Sequence, residues 1–400
     1  MSLSAEATFL LHAAVINPDA AHLEKIRASA AAVQYWDAVY NTAVKTGLGG
    51  LVYLSLKQAD YEDVPAVVTK FKKIYRRYQH HNLKVLFVSD EIGQRLSQLD
   101  IPFIPLKGIA TLQQLYTDPG MRYTSDVDLL FRRQDSEKYI KAFNASIIRP
   151  QPARLFTRYI SKAAAQKTFA KITERGIPID LHEHLHSPTD ILQFDINHFW
   201  AESTSVEHPE STQRHLSPAH QLIYMCSHLQ RHLTMYFIKE MHFRMVWFLD
   251  IVEFIRKYGA NIDWKALMDE AAAYKAADVI AGVVLVSQRY FDQLSGSIDE
   301  SDLKTISDRQ DARLTNAIET GFLHRLGQQP PETASTDYLI EHRKANRLSL
   351  TQQGLIRLST WVPSKLYLES QFSNNTRVIY PLHYPLWVMR RLKNRFTGQG

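Results

Sequence analysis

Asp126 and Asp128 stand one residue apart at the head of an apolar run, Arg122-Tyr-Thr-Ser-Asp126-Val-Asp128-Leu-Leu-Phe131. Successive side chains of a β-strand alternate faces, so the two carboxylates share one face and Val127 and Leu129 take the other. Paired carboxylates at that spacing can bridge two divalent cations, and such cations clamp phosphates during in-line displacement. A site of this kind usually needs a third carboxylate. Asp180 is the best candidate, in Gly176-Ile-Pro-Ile-Asp180-Leu-His182-Glu-His184. There Ile179 and Leu181 face the core, and Asp180, His182 and His184 face the other way together. A charge inside an apolar strand is costly to desolvate without a partner, which favours a metal site over a turn or cap.

The elements that must position these groups follow from periodicity and punctuation. Residues 1 to 100 read as a helical region. Residues 101–190 change character, in the order strand (Ile101 to Leu106), short helix (Ile109 to Tyr116), carboxylate strand (Ser125 to Phe131) and helix (Ser136 to Ala145). A hairpin follows, from Lys167 to Thr173 and Ile177 to Leu185 about Glu174-Arg-Gly176. From Pro218 the pattern is helical again, over 218–234, 240–258, 264–272, 274–292 and 301–322. Residues 191–325 thus read as a helical domain, and 326–400 as an extension ending in the basic amphipathic helix Trp387 to Arg395. The expected class is α+β: a small mixed-sheet core flanked by N-terminal and C-terminal helical regions.

The ordered set Leu106-Lys-Gly108, Leu115-Tyr116, Asp118-Pro-Gly120, Arg122, Asp126-Val-Asp128-Leu-Leu130 and Ile179-Asp-Leu-His182 resembles the motifs of the uncharacterised nucleotidyltransferase family. That family sits within the DNA-polymerase-beta-like nucleotidyltransferase superfamily. Cys226-Ser-His228, His232, Arg244, Trp247 and Asp250 resemble its helical block after the core. The resemblance covers most of 30–260. It implies an NTP-dependent transferase moving an NMP to an acceptor hydroxyl or phosphate. Asp126, Asp128 and Asp180 would be the metal ligands, Mg²⁺ or Mn²⁺ the cation and ATP the expected donor. One departure stands out. The superfamily usually carries Gly-Ser where this chain has Lys107-Gly108-Ile109, and the gap to Asp126 is longer than usual. Gly108 still lets backbone N–H groups approach a phosphate, and Lys107 offers a cation in place of the hydroxyl.

Other residues keep two readings. Arg122 could reach a phosphate or pair with a nearby carboxylate; Ser125 could supply the missing hydroxyl or cap the strand. His182 and His184 suggest zinc, but no supporting cysteine cluster exists, and a supporting or base role for His182 is the better functional option. His228 and His232, one helical turn apart, either pack a helix on the core or line an acceptor pocket with His182, Arg244 and Asp250. Trp247 is core or a base-stacking indole, and Cys226 a small buried hydrophobe.

The bulk numbers bound the rest. A net charge of +6 over 400 residues suits an anionic ligand but is too diffuse to demand nucleic acid. One cysteine excludes an internal disulfide framework and fits a reducing cytoplasm, the expected location. The segment Phe9 to Ile16 lacks the basic lead-in of a signal peptide, and Val279 to Val286 is too short to span a bilayer. The expected partners are a nucleotide and an acceptor that the sequence does not name: a small molecule, peptide or protein. Two alternatives remain: a kinase-like or glycosyl-transferring enzyme on the same fold, and a non-catalytic nucleotide- or RNA-binding module.

Overall fold

The protein is described here from a computed structural model covering residues 3–143, 146–147, 168–186, 192, 194–206, 210–239, 243–294 and 296–328, with 385, 388 and 389. It is an α+β fold. Of the expected basic helix Trp387 to Arg395 only Val388 and Met389 lie among the described residues, and both are helical.

The amino-terminal region forms five helices: α1 (Ala5–His12), α2 (Ala20–Ala32), α3 (Trp36–Thr46), α4 (Gly49–Gln58) and α5 (Pro65–Gln98). The breaks have local causes. Asp19 accepts from His22 N at the start of α2. Gly47 ends α3 at φ +84°, a left-handed conformation that glycine adopts without a Cβ penalty. Proline opens α5, where its missing N–H costs nothing.

Then come β1 (Phe103–Leu106), α6 (Lys107–Leu115), β2 (Val127–Phe131), α7 (Ser136–Phe143), β3 (Ser146–Ile147), β4 (Thr168–Glu174) and β5 (Ile177–His182). The five strands form one mixed sheet in the order β1-β2-β5-β4-β3. β2 and β5 run parallel and every other pair antiparallel. Alternation sorts the two faces. Val127, Leu129, Phe131, Ile179 and Leu181 pack with Val85, Val88, Ile92 and Leu96 of α5 and with Tyr139 of α7. The opposite face carries Ile104, Leu106 and Leu130 into a second, larger core shared with the helices on either side. Asp128, Asp180 and His182 hold the positions of that face between these apolar residues.

The carboxy-terminal helices are α8 (Ile196–Ala201), α9 (Pro218–Lys239), α10 (Val246–Tyr258), α11 (Trp264–Ala273), α12 (Ala277–Tyr290), α13 (Glu300–Ser307) and α14 (Ala312–Arg325). The helix expected over 301–322 is in fact two. Asp311 accepts from the backbone N–H groups of Arg313 and Leu314 and so starts a new helix rather than continuing the old one. α12 is buried along most of its length, and no described helix is long and apolar enough to cross a membrane.

Candidate active site

Strand register brings the carboxylates together. In the parallel β2–β5 pair Asp128 lies opposite Asp180, and in the antiparallel β1–β2 pair it lies opposite Leu106, the residue before Lys107. Lys107 therefore arrives beside Asp128 from one side and His182 from the other. Lys107 Nζ donates to Oδ1 of Asp128, and His182 Nε2 bonds the same oxygen at 2.6 Å. Asp128 and Asp180 are buried, at 1% and 8% exposure. One ligand atom each from Asp128, Asp180 and His182 lies within 4.8 Å of the others. Asp126 falls immediately before β2, half-buried, with Ser125 Oγ donating to its Oδ1 at 2.9 Å. His184 lies beyond the strand end and outside this group.

The charges are coupled. Burial opposes ionisation of Asp128, yet the Lys107 ammonium and the His182 contacts overcome it and hold the carboxyl well below the usual range. Asp126 goes the other way. Burial raises it first, and the negative charges of Asp128 and Asp180 add to that, against relief from Lys107 and Ser125. Three carboxylates thus share one field, with the Lys107 ammonium in their midst.

Lys107 occupies this place in a left-handed backbone conformation, φ +50°, which is uncommon for a side-chain-bearing residue and concentrates where structure over-determines it. Gly108 is required next to it. A Cβ there would come within 2.8 Å of Thr124 Cγ2 and 3.1 Å of Arg122 Nη1. The start of α6 is thereby seated against the loop that leads into β2.

That loop is clamped by groups that sequence reasoning did not single out. Asn82, fully buried on α5, donates to the carbonyls of Pro119 and Arg122 and accepts from Thr124 N at 3.0 Å. Tyr75 Oη donates to Asp118 at 2.7 Å. A polar residue on the apolar stripe of a long helix is the signal that marked Asn82.

Arg122 forms the salt bridge that was one of its two readings. It grips both oxygens of Asp250 on α10, at 2.7–3.0 Å, and its Nη1 donates to Thr124 Oγ1 at 2.9 Å. Tyr116 Oη donates to the same carboxylate at 2.7 Å. Both members of the pair are 4% exposed, so Asp250 ties the helical region to the sheet from within the core.

The remaining candidates form an aromatic wall. His228 and His232 lie 4.4 Å apart and both pack on Trp247, at 5.3 and 4.6 Å between ring centres. Arg244 stands over the Tyr123 ring at 5.4 Å, and His81 stacks on that ring at 4.8 Å. Arg244 has no hydrogen bond or ion pair among the described residues. Burial lowers its pKa, Arg122 lowers it further, and Asp126 opposes them. Tyr224 on α9 was missed entirely. Its buried hydroxyl has no hydrogen-bond partner among the described residues, and burial together with the charges of Asp128 and Asp126 pushes its pKa well up. Buried hydroxyls are rarely left so, and this one lies in the field of the carboxylates.

Carboxylate oxygens suit hard divalent cations. Asp128 and Asp180, with His182 beside them and Asp126 in the same field, make an acidic group whose donor chemistry fits a divalent cation.

The family model described as uncharacterised nucleotidyltransferase matches residues 33–292. No curated protein and no solved structure matches the chain.

Proposed function

The chain belongs to the uncharacterised nucleotidyltransferase family, and from that premise we propose that it moves a nucleoside monophosphate from a nucleoside triphosphate, ATP first among donors, to an acceptor hydroxyl or phosphate. The observation that carries this reading is the register of Asp128 against Asp180, with Asp126 coupled to both. Asp126, Asp128 and Asp180 would hold Mg²⁺ or Mn²⁺. Such cations, when bound, neutralise phosphate charge and lower the pKa of an attacking hydroxyl.

The chain's own groups have separable tasks. His182 fixes the rotamer of Asp128. Lys107 supplies a positive charge at the mouth of α6, where the triphosphate is expected. Arg244, which has no ion pair among the described residues, meets a negative group on the donor or acceptor. Tyr123, His81, His228, His232 and Trp247 offer aromatic faces against which an acceptor or base can lie. Arg122 and Asp250 hold the frame. In the reaction the acceptor oxygen bonds to the α-phosphorus while the bond to the bridging oxygen breaks. The acceptor proton passes to solvent and pyrophosphate leaves.

The test is transfer from α-labelled ATP to a panel of small-molecule and protein acceptors. Label on a product with wild type, and none with Asp128→Asn of unchanged circular dichroism, is the expected result. Equal labelling by the two proteins would end the proposal. Transfer from γ-labelled ATP alone would turn it into a kinase.

A further inference from the structure

A second constellation lies outside the carboxylate site and plays no part in the reaction above. His198 of α8, His220 of α9 and Glu270 of α11 bring one ligand atom each within 4.8 Å of one another. His220 Nε2 lies 2.8 Å from Glu270 Oε1, and His198 Nε2 lies 3.4 Å from the same oxygen. We infer that His198, His220 and Glu270 form a second metal site, for Zn²⁺ or a similar borderline cation, that fastens α8 to α9 and α11.

Hydrogen bonding alone accounts poorly for the arrangement. A carboxylate oxygen presents two lone pairs in its plane. Tyr274 Oη and His220 Nε2 already take Oε1, each at 2.8 Å. His198 Nε2 also aims at Oε1, from a distance too long for a good bond. Oε2 of Glu270 has no hydrogen-bond partner among the described residues. The three protein groups are thus crowded round one point instead of being spread over the carboxylate.

A zinc ion needs about that spacing. With zinc–nitrogen and zinc–oxygen bonds of about 2.0–2.2 Å, tetrahedral ligand atoms stand about 3.4 Å apart. The His198–Glu270 separation already has that value, and the His220–Glu270 pair must open by only about 0.6 Å. Neighbouring side chains hold two of the three groups in place, although the buried Nδ1 of His220 has no hydrogen-bond partner among the described residues. Phe199 stacks on the His220 ring at 4.0 Å and 11°, fixing its plane. Tyr274 anchors the carboxylate. His220 is buried, whereas the His198 side chain is 46% exposed and Glu270 24%, which leaves a way in for the ion and a fourth position for water. Two imidazoles and one carboxylate favour zinc over magnesium.

The experiment uses the full-length chain stripped with a chelator and titrated with Zn²⁺ alone. Calorimetry follows binding, and melting temperature with and without the ion serves as a second readout. The double variant Asp128→Asn/Asp180→Asn removes the other candidate group and must keep this binding. His198→Gln, at an exposed position that leaves the fold intact, must weaken it by about 100-fold or more, the upper end of what disturbing ligand support costs. It must also abolish the zinc-dependent rise in melting temperature. Zinc binding unchanged in His198→Gln, lost in the double variant, or absent from wild type would overturn the proposal. None of these outcomes bears on nucleotide transfer, so the two readings fail separately.

Discussion

Lys107, the first residue of α6 just past β1, and His182 of β5 reach the same oxygen of Asp128 from opposite sides. The buried carboxylate is thus held ionised by a cation on one side and oriented by an imidazole on the other. The two contacts separate by mutation. Lys107→Met keeps the rotamer of Asp128 but removes the positive charge proposed for the triphosphate. It should lower kcat/KM about 100-fold, the loss expected on removing one charge-stabilising group. His182→Gln retains a hydrogen-bond donor and should cost no more than about tenfold, the low end of second-layer effects. Steady-state kinetics with ATP and Mg²⁺ measure both. Equal losses would show that Lys107 does nothing beyond pairing with Asp128.

The Arg122–Asp250 pair should govern stability before activity. Truncating one partner leaves the other charged and buried, which costs about 3–5 kcal/mol. Replacing both by apolar residues of similar size removes that penalty. Urea denaturation should therefore find Arg122→Met and Asp250→Leu each strongly destabilised and the double variant markedly less so. Additive losses would contradict this account.

Asn82 bonds three backbone groups in the loop before β2. Asn82→Leu should lose about 2–3 kcal/mol by orphaning those groups. It should also reduce kcat more than it raises KM, because the loop carries Asp126. A variant as stable and as active as wild type would remove α5 from the list of elements that position the site.

Acid should weaken the fold through histidines buried in neutral form. Burial, then the charge of Arg133, holds His184 down at about 4, against 6.5 unperturbed. Above pH 6.5 the group is neutral whether the chain is folded or not, and it contributes no slope. Between 6.5 and 4 the unfolded chain binds a proton that the folded chain refuses. Stability therefore falls as pH falls, by up to about 1.4 kcal/mol per pH unit for one such group. His184→Asn should flatten the pH dependence of the unfolding free energy in that window and leave it unchanged above pH 7. His12, His81, His215 and His220 are shifted in the same direction and will keep part of the slope.

Much of this arrangement was legible before any coordinates. The i, i+2 spacing of Asp126 and Asp128, and the same spacing of Asp180 and His182, fix a shared face through strand geometry alone. Pro218 and Ser217 announced α9. The register that sets Asp128 against Asp180 was not legible, because parallel pairing leaves no mark on local sequence. Nor was the partner of Arg122, which lies far along the chain on α10 and could have been any carboxylate. Tyr224 was not legible either, since the bonding state of a hydroxyl has no signature in one dimension. The break between α13 and α14 was overlooked because the apolar spacing runs on through it, and only the capping role of Asp311 reveals it.

The parallel pairing of β2 and β5 also orders events during biosynthesis. Lys107 and Asp128 are both synthesised by the end of β2, whereas Asp180 and His182 follow only with β5. A chain that stops between the two holds Asp126 and Asp128 but neither Asp180 nor His182. The group proposed to hold a metal ion is therefore complete only in the finished sheet and not in its first half.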